Sequence, residues 1–191
     1  MELIDYTNKW LTGEIHEDLA MVAGGMLFLV LAILAWRLGS SESARAIIIP
    51  LLVVAVLFIG MGTTLAFNNY HREKQFAEQY QESPQKFLES EKARVADFMK
   101  IYPQTIIVSA VLMVIGICVF AFCAKPWLRA SALMLILTAL MALTIDYFSK
   151  ERGVIYQQEL NEQQEQSQIS LSSAELRVKK SEAQLNSVQI E

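Results

Sequence analysis

Two histidines, two cysteines and a pair of adjacent threonines are the residues in this chain whose types invite chemistry. His16 and His71 are its only imidazoles, and each lies beside the end of an apolar run. Antiparallel pairing of those runs would bring both to one membrane face at similar depth. Two neutral imidazoles there could ligate haem or, with Glu14, Glu17 or Asp146, a divalent metal. Haem in a small bundle is gripped between spans, however, and neither histidine falls inside one. Interfacial polarity is the plainer role, so no cofactor and no metal is expected.

Cys118 and Cys123 both fall in the third apolar run, five residues apart, and do not share a helix face well. They read as small packing residues, since a structural disulfide belongs elsewhere. A four-span thiol oxidase, which needs cysteine pairs in polar loops, is thereby disfavoured. Thr63 and Thr64 could line a pore if several copies arranged them around a lumen. Their ordinary use is to bond back to carbonyls of their own helix. No nucleophile–base pair, phosphate loop or cysteine–histidine spacing occurs, so a non-enzymatic protein is expected.

The elements that must carry these residues follow from the charge pattern. All 16 basic and 20 acidic residues lie outside four windows, 19–36, 46–71, 101–124 and 130–145. A helix needs about 20 predominantly apolar residues to cross roughly 30 Å of hydrocarbon. Each window meets that length or reaches it with its flanks, the fourth by extending from Trp127 to Phe148. The polar groups deep in these windows are hydroxyls such as Thr63, Thr64, Ser109, Thr138 and Thr144. Pumps and proton relays need ionisable groups at that depth and are excluded. The net charge of −4, with no isolated basic block, excludes nucleic acid as a partner. No window reads as a cleavable signal peptide, because acidic residues precede the first.

The expected fold is all-α: a four-span transmembrane helical bundle of two antiparallel hairpins, with an extramembrane helical hairpin and a C-terminal helix. Residues 1–18 form an interfacial segment interrupted at Thr12-Gly13, with Leu3, Ile4, Trp10 and Leu11 on one face. Residues 19–67 and 104–148 form the two transmembrane hairpins. The stretch 68–103, with six basic and six acidic residues, reads as two polar helices meeting at Ser83-Pro84, a cap followed by a first-turn proline. Residues 149–191 form a polar helix with Gly153 as a hinge. Its weak heptad runs through Leu171, Ala174, Val178, Ser181, Leu185 and Val188.

Leu65–Lys74 also aligns with Leu143–Arg152, either as a trace of duplication or as the aromatic belt and charges that any exiting helix acquires. The pairs Ala20/Gly24 and Gly62/Ala66 suit close helix packing.

Function is expected in the polar parts. In the second polar helix Phe87, Leu88, Val95, Phe98, Met99 and Tyr102 make an apolar stripe broken only by Glu91, and such a stripe needs a cover. The leading expectation is a sensor or scaffold subunit that forms a homo-oligomer and binds a soluble protein through its extramembrane helices. Alternatives are a small oligomeric channel or permeabilising effector lined by the second span, and an immunity protein against a membrane-active toxin. Near the span ends, eight basic residues on the side of the termini face four on the other. That bias puts both termini in the cytoplasm, and the compact size and lack of a cleavable signal peptide suit a bacterial inner membrane.

Overall fold

The computed structural model describes residues 3–188, with side chains through Lys180, and contains no strand among them. Six helices follow one another: α1 Leu3–Leu38, α2 Glu42–Ala46, α3 Ile48–Glu82, α4 Pro84–Met99, α5 Tyr102–Phe122 and α6 Pro126–Val188. Four stretches, Leu3–Leu38, Glu42–Glu82, Pro84–Phe122 and Pro126–Lys180, are long and apolar enough to cross a membrane. The chain has the build of a multi-pass helical membrane protein.

Local chemistry sets the joints. Ser83 ends α3 and caps α4, its hydroxyl accepting from Lys86 N at 3.5 Å, while Pro84 opens the new helix. Pro103, which has no N–H to give, follows the short break between α4 and α5. Ser41 caps α2 and accepts from Ala44 N at 3.1 Å. Pro126 opens α6 after a three-residue link.

In the apolar half, α1 lies along α3 and α5 along α6. Phe28, Ala32, Leu51, Val54, Ala55, Phe58 and Met134 form its core, with the rings of Phe28 and Phe58 edge-on at 6.1 Å. Gly62 and Ala66 are buried on α1, and a Cβ on Gly62 would stand 2.7 Å from the carbonyl oxygen of Asp18. The backbones can touch there because side chains are missing. The Ala20/Gly24 pair does not play this part: Ala20 is exposed and Gly24 faces Met141 of α6.

In the polar half, the start of α1, the end of α3, α4 and the middle of α6 enclose a second core. It contains Leu3, Trp10, Leu11, Ile15, Phe76, Phe87, Leu88, Val95, Tyr156 and Leu160. Three sequence expectations change here. Residues 3–18 are the uninterrupted first turns of α1, and their apolar face is spent on this core, not on a bilayer surface. Gly13 does not break the helix but leaves room for Arg152, whose Nε would stand 2.7 Å from a Cβ at that position. Gly153 is no hinge: it is buried within a continuous α6, and a Cβ there would meet Met99 Sδ at 3.1 Å.

The two exit segments do not take matching roles either. Lys74 is exposed, whereas its counterpart Arg152 is ion-paired across the bundle. Beyond the polar core α6 continues alone, and every residue from Gln168 to Lys180 is exposed. The heptad positions Ser181, Leu185 and Val188 belong to this helix, but their side chains lie outside the described ones.

Candidate functional site

The α4 stripe is already covered. Phe87, Leu88, Val95 and Tyr102 are each no more than 4% exposed, and Phe98 and Met99 pack at the margin of the polar core. Phe87 meets Phe76 and Tyr80 edge-on, both at 5.7 Å, and Phe98 meets Trp10 at 6.4 Å. The face expected to capture another protein is occupied by α1, α3 and α6 of the same chain. These helices come together because each has one apolar stripe. On α6 it is Ser149, Gly153, Tyr156 and Leu160, all buried, at four–three–four spacing. That spacing was readable in the sequence and is the signal that identifies Tyr156.

Glu91, the polar residue in the stripe, is 2% exposed and fully engaged. Arg94 donates to its two oxygens at 2.8 and 2.6 Å, and the Tyr156 hydroxyl donates at 2.9 Å. Tyr156 also meets the Thr7 hydroxyl at 2.8 Å. Trp10 stacks on Tyr156 at 5.3 Å, and the Arg94 guanidinium lies over the Trp10 ring at 4.6 Å. Burial, followed by the Glu91 carboxylate, pushes the Tyr156 phenol well above its ordinary value, so it stays protonated and donates. Burial works against the charge on Arg94, and Glu91 more than restores it.

A second network lies closer to the apolar half. Arg152 reaches from α6 to α1 and donates to Glu14 at 3.0 Å and to Glu17 at 2.8 Å. Ser149 donates to Glu14 at 3.2 Å and meets the Tyr102 hydroxyl at 2.8 Å. Asn69 of α3 donates to Asp18 at 2.8 Å. Burial pushes the carboxyls of Glu14 and Asp18 up, against the opposing effects of Arg152 and Asn69. All of these side chains except Arg152 border a cavity of about 260 Å³, which Asp146 and Arg72 also line.

The remaining candidates stay apart. His16 and His71 are exposed, and the Nδ1 of each sits beside the carbonyl four residues back, at 2.7 Å from Thr12 O and 3.0 Å from Phe67 O. Among the described residues no three of His, Cys, Asp and Glu gather as a metal site would require. Thr63 and Thr64 are exposed on α3, and Thr64 donates to Gly60 O at 2.8 Å. Cys118 and Cys123 are free thiols.

No protein-family model matches the chain, and comparisons with curated proteins and with solved structures also find no match.

Proposed function

We propose that the chain is a non-enzymatic scaffold or sensor subunit of a membrane, assembled through the projecting end of α6. In this reading the apolar helices form a four-span bundle of two antiparallel hairpins, α1 with α3 and α5 with α6. The polar bundle and both termini lie in the cytoplasm, by the basic-residue bias of the flanks. A bacterial inner membrane is the proposed setting.

One observation carries the reading: α6 leaves the polar bundle and continues as a helix with Ile169 at 62%, Leu171 at 57%, Leu176 at 64% and Val178 at 57% exposure. A lone amphipathic helix gains little stability without a surface for its apolar side. Leu171, Ala174 and Val178 fall at heptad spacing, and a second copy presents the same stripe. Copies anchored in one bilayer project their α6 ends in the same direction, which favours parallel, in-register pairing about a two-fold axis. The covered α4 stripe supports this assignment, because it removes α4 as a docking face, whereas the projecting end of α6 keeps its apolar side chains open. A soluble protein would then dock on the assembled α6 ends.

Cysteine scanning in native membranes tests the pairing. In a Cys118→Ala, Cys123→Ala background, Leu171→Cys, Ala174→Cys and Val178→Cys should each form interchain disulfides on mild oxidation. Ser172→Cys and Glu175→Cys should not. Uniform or absent cross-linking along 171–178 would sink the proposal.

A further inference from the structure

The two helix pairs leave a gap in the apolar half. Between α1/α3 and α5/α6 lies a cleft of about 500 Å³, walled by Leu57, Phe58, Met61, Val108, Leu112 and Ala142. Small-molecule sites span about 300–1,000 Å³, so this volume suits a ligand with an extended apolar body.

The cleft is not uniformly apolar. Thr138 and Asp146 also line it, and Thr138 Oγ1 and Asp146 Oδ2 are buried without a hydrogen-bond partner. Buried polar atoms are rarely left that way, and those that are call for an explanation. At its inner end the cleft meets the polar cavity, with Met21, Ile101, Thr105, Ile145 and Asp146 lining both. The carboxylates lining that cavity are Glu14, Glu17, Asp18 and Asp146, and its guanidiniums are Arg72 and Arg94; Glu91 joins through Arg94, and Arg152 through Glu14 and Glu17. Arg152 serves Glu14 and Glu17, Arg94 serves Glu91, and Asn69 serves Asp18. Arg72 donates to Asn69 at 3.4 Å. Asp146 is the carboxylate for which this network supplies no donor, and it stands where apolar wall gives way to polar cavity.

We propose that the cleft binds an amphipathic cation, with its alkyl body between the helix pairs and its ammonium donating to Asp146 Oδ2. The same primary ammonium on an alkyl body is offered by a lipid with an ethanolamine headgroup, whose phosphate makes it a zwitterion, and by a free alkylammonium. Charge complementarity selects the cation, and the opening of the cleft among apolar helices selects the alkyl body. The inference shares the membrane placement proposed above but is independent of α6 pairing.

Labelled dodecylamine is the probe, bound to the full chain in phosphatidylcholine nanodiscs and counted above protein-free discs. Saturable binding is expected. Asp146→Asn should weaken it at least tenfold, and Leu112→Trp, which fills the cleft and spares the carboxylate, should weaken it comparably. Dodecanol, uncharged with the same chain, should bind weakly and be indifferent to Asp146→Asn. The Leu171→Ser, Val178→Ser double variant should bind dodecylamine like the wild type, which separates this site from assembly. Adding phosphatidylethanolamine to the discs identifies the source: competition supports the headgroup, and unaltered affinity supports the free amphiphile. No saturable binding, or equal affinity in the wild type, Asp146→Asn and Leu112→Trp, would overturn the proposal.

Discussion

Arg152 of α6 lies across the bare backbone of Gly13 on α1, so close that a Cβ there would stand 2.7 Å from its Nε. From that notch it holds both Glu14 and Glu17, and so ties α6 to α1 between the polar core and the apolar half. Arg152→Ala should therefore cost about 2 kcal/mol, the scale of hydrogen bonds to charged groups. Gly13→Ala should be destabilising or neutral in the wild type. In the Arg152→Ala background it should stabilise by up to about 1 kcal/mol, the helix-propensity gain of alanine over glycine. Thermal unfolding of the four proteins of this double-mutant cycle reads the coupling, and strict additivity would show that Arg152 does not depend on the notch.

The Tyr156 hydroxyl joins α6 to α4 through Glu91 and to α1 through Thr7. Tyr156→Phe keeps the stacking on Trp10 and removes both hydrogen bonds. A loss of about 1–2 kcal/mol is expected in denaturant unfolding of the purified protein. An unchanged midpoint would mean that neither bond contributes.

Phe87 is a core residue of the polar bundle, 2% exposed. Phe87→Ala should cost about 3–5 kcal/mol, the usual range for a large buried aromatic. The measurable sign is faster proteolysis of the polar segments while the chain stays in the carbonate-resistant membrane fraction. Unaltered protease resistance would contradict the closed core.

Asp18 is held up by burial, only partly offset by Asn69. A carboxyl whose folded pKa is raised adds stability in acid and loses it as pH climbs from the unfolded value, about 3.9. Asp18→Asn removes that dependence and still allows an amide–amide hydrogen bond to Asn69. The stability of the variant relative to the wild type should thus improve from pH 4 to pH 7, as followed by unfolding midpoints. A relative decline over that range would reverse the sign assigned to this group.

Much of the helical frame was legible because it depends on local chemistry. Four uncharged windows, Ser83-Pro84 and Pro126 mark their own helices and joints without reference to the rest of the chain. The α4 stripe was equally plain, yet its cover was not, because Trp10, Phe76 and Tyr156 meet it from helices far away in sequence. Gly13 and Gly153 were misleading for a physical reason. A glycine can mark a flexible joint or a close approach, and only the neighbour at that spot, Arg152 or Met99, tells which. The ion pairs of Arg152 span 135 and 138 residues, a separation at which no periodicity brings charges into register. Asp146 could be singled out from sequence as ionisable and near a span end, but not as lacking a donor.

Molar mass in detergent, by light scattering corrected for bound detergent, tests assembly through α6 most directly. Leu171→Ser with Val178→Ser changes side chains that are exposed in the single chain, so the variant should keep the helix content of the wild type while losing any stability that assembly supplies. The wild type should elute as a multiple of the 21.5 kDa chain, and the double variant as a single chain. A wild type that is monomeric at every concentration, or a double variant with the mass of the wild-type assembly, would contradict assembly through this helix.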